Sequence, residues 1–152
     1  EAWVNQKPTT YETLQSETLS TVTFVGSETE EGWMAYYEVE QAAMEKATEY
    51  YVSHAYNVAD ISRENRGYDL ECSRTDGILR VEVKGLKGAK YPELTQNEHR
   101  MAKFYRGSFI LFIVEIGDPT KEFAVPDPTA NLKVEEIMKP VYRMSKYDQY
   151  QV

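Results

Sequence analysis

Two short strings joined by a turn constrain this chain most: Gly67-Tyr68-Asp69-Leu70 and Val81-Glu82-Val83-Lys84-Gly85. Thr75-Asp76-Gly77 lies between them and reads as a tight turn, because Asp-Gly supplies the positive φ angles of a hairpin. Strand side chains alternate between faces. Tyr68, Leu70 and Cys72 are therefore expected on one face, with Asp69, Glu71 and Ser73 on the other. Leu79, Val81 and Val83 are expected to point into a core, and Glu82 and Lys84 away from it. Folding the hairpin about Asp76-Gly77 brings Asp69 opposite the stretch from Glu82 to Lys84. Two carboxylates and an ammonium then share one patch.

Carboxylate oxygens from Asp69 and Glu82 suit a hard divalent cation such as Mg²⁺, which keeps several waters and takes phosphate oxygens. Such a cation lowers the pKa of a water and neutralises developing charge. Lys84 is placed to hold or activate that water for attack on a phosphodiester, and is expected to line an open pocket with little packing of its own. The plainer alternative is a surface hairpin with a cross-strand ion pair, worth roughly 0.2–1 kcal/mol.

At 152 residues the chain has room for one domain with a sizeable core. No stretch approaches the roughly 20 apolar residues of a transmembrane helix, and no signal peptide is visible. The chain begins Glu1-Ala2-Trp3 without methionine, as a piece of something larger would. A single cysteine, Cys72, excludes an internal disulfide and fits a reducing, cytoplasmic setting. One cysteine with His54 and His99 does not make a zinc site. The sequence has no Ser-His-Asp spacing, no phosphate-binding glycine loop and no dinucleotide fingerprint. A net charge of −8 opposes a strong nonspecific grip on nucleic acid. Lys84, Lys87, Lys90 and Arg100, however, cluster in sequence near the acidic patch.

Residues 1–33, rich in Thr, Ser and Glu, read as an extension or linker with a short strand at 20–25. Residues 34–55 read as a helix, with Tyr36, Ala43, Ala47, Tyr50 and His54 forming its buried stripe. Glu40 falls on that stripe, where it needs a partner or a metal, unless it sits at the edge and reaches water. A strand follows at 57–62, then the hairpin, then a loop at 85–92. Thr95-Gln96-Asn97-Glu98 matches a capping box opening a helix to about Tyr105. Residues 108–116 form an apolar run, as in a strand buried on both faces. An edge strand is expected at 123–129, limited by Pro126 and Pro128, and a short helix at 131–139. The tyrosine-rich tail is expected to dock on the core or serve as a contact.

The order helix, strand, strand, strand, helix, strand, with Asp69 followed by Glu82-Val83-Lys84 on the third strand, resembles the core of the PD-(D/E)XK nuclease superfamily. Further strings narrow the resemblance: Val39-Glu40-Gln41-Ala42-Ala43-Met44, Val58-Ala59-Asp60-Ile61-Ser62, Glu64-Asn65-Arg66-Gly67, Leu94-Thr95-Gln96-Asn97-Glu98 and Pro126-Asp127-Pro128. They are similar to a nuclease-like domain family found C-terminal to helicases in prokaryotic defence proteins and in plant NO VEIN. The resemblance spans residues 34–130.

The resemblance implies an α/β, restriction-endonuclease-like core with a mixed four-stranded sheet flanked by helices. Residues 131–152 would form a tail packed on or extending it. The resemblance makes Asp69 and Glu82 metal ligands, Lys84 the catalytic lysine and Glu40 the helix glutamate that completes the acidic cluster. The Val83 carbonyl would share the metal. Asn97 and Glu98 match a recurrent polar pair on the second helix, to which the resemblance assigns capping and nothing further. His99 stands where the family has an aromatic and would touch substrate. The function so implied is a Mg²⁺-dependent (or Mn²⁺-dependent) nuclease domain acting on DNA, within a larger defence or repair protein. Its partners would be a helicase or other domain on the same or a second chain, with a homodimer as a further state. The alternatives are a catalytically silent nucleic-acid-binding module of the same fold, and a protein-interaction module suggested by the acidic surface and exposed tyrosines.

Overall fold

The structure is a computed structural model that describes residues 30–137 and 141–152. The strand expected at 20–25 lies outside them. Helix α1 spans Glu30–Ser53. Strands β1 (Asn57–Asp60), β2 (Leu70–Arg74) and β3 (Gly77–Lys87) follow, then β4 (Glu93–Thr95) and helix α2 (Gln96–Tyr105). Strands β5 (Phe109–Ile116) and β6 (Lys121–Pro126) come next, then a helical turn at Pro128–Asn131, β7 (Lys133–Ile137) and β8 (Val141–Ser145).

The main sheet has five strands in the order β1-β2-β3-β5-β6, one more than the four expected. The fifth, β6, pairs antiparallel with β5 at the edge, the place where Pro126 is tolerated. β3 and β5 run parallel at the centre, and the other pairings are antiparallel. β4, β8 and β7 form a second, three-stranded sheet. Residues 133–137 are thus a strand and not the helix expected there. Val134 pairs with Met144 across β7 and β8, and Met144 is fully buried. Pairing with β8 decides their conformation, and their weak helical propensity is overridden.

Each face of the main sheet is covered. Helix α1 lays Ala43, Ala47 and Tyr51 over Leu70, Cys72, Val81, Val83, Phe112 and Val114. The buried stripe leads to Tyr51; His54 lies past the helix end and is exposed. On the opposite face Leu86, Leu111, Ile113 and Phe123 pack against Leu94, Met144 and Tyr147 of the second sheet and the tail. Burying each such side chain stabilises by roughly 1.5–3 kcal/mol. A third cluster joins Ile61, Tyr68, Ala102 and Phe109 under α2. Tyr68 therefore does not share the cluster of Leu70 and Cys72, as alternation predicts. β2 starts at Leu70, and Gly67 at φ +88° turns the chain just before it.

β3 runs through Gly85 to Lys87, where the sequence reads as a loop. A Cβ on Gly85 would stand 2.8 Å from the Val39 carbonyl oxygen and 2.9 Å from Ala43 Cβ. Here α1 crosses the strand in backbone contact, and only glycine permits the approach. That crossing brings Glu40, the residue after Val39, to the end of β3 that carries Lys84.

Candidate functional site

The hairpin register pairs Leu70 with Val81 and Arg74 with Gly77, which sets Asp69 opposite Glu82. Only Gly77 in the turn has positive φ, at +144°. Asp69 continues the ladder by an unusual route. Its backbone N–H donates to the Val81 carbonyl at 2.9 Å. Its side-chain Oδ2 accepts the Val83 N–H at 2.9 Å, where a further strand residue would have supplied a carbonyl. The ladder ends on a carboxylate, so Asp69 is held against the backbone of the Glu82-Val83-Lys84 string.

Glu82 and Lys84 alternate away from α1, toward the face that α2 covers. Neither is at the surface: Lys84 is 0% exposed and Glu82 1%. The open-pocket expectation for Lys84 is thus corrected, because α2 and its capping loop close over the strand. Lys84 Nζ donates to Glu98 Oε1 at 2.9 Å and lies 3.0 Å from Glu82 Oε2. The Glu82 contact is within ion-pair distance but off the hydrogen-bond direction, so both Glu82 oxygens are buried without a hydrogen bond.

Glu98 is the residue whose part in the site the sequence hides. It performs the capping expected of it: Thr95 Oγ1 accepts the Glu98 N–H at 3.0 Å, and Glu98 Oε1 accepts the Thr95 N–H at 2.9 Å. The same oxygen takes the Lys84 ammonium. The capping box thus fixes a carboxylate that anchors the lysine fourteen residues earlier. One signal was available: a buried strand lysine needs an acidic partner, and Glu98 is the acidic residue of the helix that follows.

Four carboxyl groups, of Glu40, Asp69, Glu82 and Glu98, thus neighbour a single ammonium. Burial, with Asp69 nearby, pushes the Glu40 carboxyl up to about 8. Burial raises Asp69 to about 7, against the lowering effect of the Val83 N–H. Glu82 is raised well above the carboxylate range by burial and by Asp69 and Glu98, with Lys84 opposing. Burial would lower Lys84, but Glu82 and Glu98 outweigh it and hold the ammonium above its ordinary value.

The structure brings Asp69, Glu82, Val83 and Lys84 into one contact set and places Glu40 within electrostatic reach of Asp69 and Lys84. Among the described residues, no three His, Cys, Asp or Glu side chains form a ready-made metal cage. Mg²⁺ does not ask for one: it is held by one or two carboxylates, with waters and phosphate oxygens filling the rest. Asp69 and Glu82, the latter with Oε1 free of any hydrogen bond or ion pair and Oε2 held only by Lys84, fit that demand. His99 stands outside this set, its ring stacked on Tyr142 at 3.6 Å between centroids.

No helix among the described residues is long and apolar enough to cross a membrane. The profile of the family described as Protein NO VEIN, C-terminal, matches residues 39–125, from the start of the Glu40 string to the end of β6. No curated protein and no solved structure matches the chain.

Proposed function

The chain belongs to the family of the C-terminal domain of Protein NO VEIN, and from that premise we propose that it is a metal-dependent nuclease domain that hydrolyses DNA phosphodiester bonds. The observation that carries the reading is the buried Glu82 carboxylate, without a hydrogen bond, beside Asp69 and Lys84. The order α1, β1, β2, β3, α2, β5 supports grouping the core with the PD-(D/E)XK superfamily and its restriction-endonuclease-like fold.

Asp69, Glu82 and the Val83 carbonyl would hold Mg²⁺ or Mn²⁺, with Glu40 contributing directly or through water. The carbonyl of a strand residue points the same way as its N–H, so that of Val83 faces the Asp69 side, where β2 has ended. The bound cation would acidify a water and offset charge on the phosphate. Lys84 stays an ammonium and so is no base; anchored by Glu98, it positions the water and steadies negative charge on phosphate oxygen. The attacking water forms the new P–O bond, the sugar oxygen leaves, and the water's proton passes to a carboxylate. With the cation bound, Glu40 would be ionised, and being partly exposed it would give that proton a carboxylate to rest on and a route to solvent.

The setting that goes with this reading is a cytoplasmic defence or repair protein in which a helicase or other domain presents the DNA, with homodimers as a further state. The second reading is a silent nucleic-acid-binding or interaction module of the same fold. It draws on the complete burial of Lys84 between partners of its own chain. A cleavage panel of single- and double-stranded DNA and RNA, with Mg²⁺ or Mn²⁺, separates the two. Metal-dependent DNA cleavage lost in Glu82→Gln and Lys84→Ala supports the nuclease. Lys84→Ala cleaving as fast as wild type, or no cleavage of any substrate, leaves the silent module.

A further inference from the structure

The outward face of α2 differs in charge from the rest of the chain. Its exposed charged residues, with the turn that follows, are Arg100, Lys103 and Arg106. Glu98, the acidic residue of the segment, is buried on the inner face and committed to Lys84. Among the described residues, none of the three cations makes an ion pair; Arg100 contacts only the Asn97 side-chain oxygen. In a chain of net charge −8, two unpaired cations on the helix and a third in the turn that follows form a local positive strip.

Phe104 stands within that strip and is 71% exposed. It follows Arg100 by four residues, which makes the two neighbours on one face of the helix, and it comes directly after Lys103 in the chain. Its inner edge rests on Tyr105, with centroids 5.0 Å apart and the rings nearly perpendicular. Tyr105 is in turn fixed by the Arg80 guanidinium, 4.2 Å from its ring centroid, and by Tyr68. The exposed ring thus sits on a braced base. The ring leaves a flat apolar face open to a ligand. Flanked by cations, it suits a ligand that is both flat and anionic. An apolar partner helix does not meet both demands, and an acidic peptide does so only where an aromatic stands among its carboxylates. An unpaired nucleic-acid strand does, with phosphates on the cations and a base stacked on the ring.

We infer that the outward face of α2 is a docking strip for an unpaired nucleic-acid strand, with Phe104 as the stacking platform and Arg100, Lys103 and Arg106 as phosphate contacts. Phe104 lies six residues, or about 9 Å of helix axis, from Glu98, which anchors Lys84. The inference rests on the nuclease reading for its purpose, since it delivers a strand to that site, but its binding step needs no metal.

The test is fluorescence anisotropy on the 152-residue chain with labelled 15-nucleotide DNA and RNA, unpaired or in duplex, in a chelating buffer. The unpaired strands bind the wild type and the duplex binds more weakly. Phe104→Ala weakens the unpaired strand about tenfold, Phe104→Trp restores it, and the melting temperature does not move. Arg100→Gln with Lys103→Gln lowers the salt dependence by about 0.7 per lost contact. The inference is overturned if the wild type binds no unpaired strand, if Phe104→Ala binds equally well, or if Phe104→Ala changes only self-association in sedimentation. Cleavage is scored separately. Binding through Phe104 without cleavage leaves the strip and removes the nuclease. Cleavage indifferent to Phe104 leaves the nuclease and removes the strip.

Discussion

Lys84 carries its charge with no exposed surface, and its nearest partners, Glu82 and Glu98, are both acidic. Removing one member of a buried ion pair costs about 3–5 kcal/mol, because the remaining charge is left without compensation. Lys84→Met keeps most of the volume and loses the charge. It is expected to lower urea stability by about 3 kcal/mol at pH 8 and by less at pH 5, where Glu82 and its neighbours can take up protons. An equal loss at both pH values would mean that the ammonium does not balance these carboxylates. Glu98→Gln separates the two tasks of that residue: the amide oxygen still accepts the Thr95 N–H, so the helix start survives, while the anchor for Lys84 loses its charge. Glu98→Ala removes both and adds about 1 kcal/mol of lost capping. Cleavage falls in both variants, and both lose stability through the uncompensated Lys84 ammonium, the alanine variant by about 1 kcal/mol more. The sequence makes Asp69, Glu82 and Lys84 legible because one hairpin holds them, and hairpin register is local. It conceals the anchoring by Glu98 because the capping box already accounts for a glutamate there.

Gly85 decides where α1 lies. An alanine there would meet the Val39 carbonyl at 2.8 Å and Ala43 Cβ at 2.9 Å, and a backbone oxygen beside a Cβ fixed to the same helix leaves little freedom to yield. Overpacking of this kind costs about 1–3 kcal/mol. Gly85→Ala is therefore expected to lower the denaturation midpoint and, by pushing α1 and Glu40 off the strand end, to reduce metal-dependent activity beyond the stability loss. Gly107→Ala is the control, since nothing lies within 4 Å of its Cβ and its φ is not positive; it should change stability by less than about 0.5 kcal/mol. Denaturant curves for the two variants check both. The same comparison shows what kind of element a sequence reveals. β5 is legible as an apolar run because it is buried on both faces. α2 is legible because its capping box is four consecutive residues. β7 and the length of β3 are not. β7 is a strand through its pairing with β8, which also pairs with β4 some fifty residues earlier. β3 extends through Gly85 because α1 and β5 cover it. β3 therefore depends on partners distant in the chain, and β7 on a hairpin partner that is itself held by the distant β4; local propensity is silent about both.

The chain's −8 charge is unevenly spread: an acidic cluster inside, a cationic strip on α2, and many of the tyrosines used in packing. Tyr36, Tyr51, Tyr68 and Tyr147 are buried, which weakens the case for a tyrosine-lined interaction surface. The interior cluster then governs how stability follows pH. Glu40 and Asp69 titrate at about 8 and about 7 in the folded chain, against ordinary values near 4. Between pH 4 and 8 the folded state binds more protons than the unfolded state. By linkage, stability falls with rising pH wherever that holds. The contribution of these two groups is present in full below about pH 4 and is lost as pH passes about 7 and then about 8. The cation-free chain should therefore melt several degrees lower at pH 8.5 than at pH 5.5. A divalent cation at the cluster reverses this, because it binds the ionised carboxylates of the native state alone. At about 100 times its Kd it adds about 2.7 kcal/mol. Mg²⁺ or Mn²⁺ should accordingly raise the melting temperature strongly at pH 8.5 and little at pH 5.5, where protons compete for the same oxygens. Glu82→Gln should lose most of that gain, and Asp60→Asn, whose carboxylate accepts Ser62 groups, should keep it. Melting curves over this pH range, with a chelator and with each cation, decide the matter. A gain of equal size at both pH values, or one retained by Glu82→Gln, would put the cation on the surface carboxylates and remove the buried cluster from the chemistry.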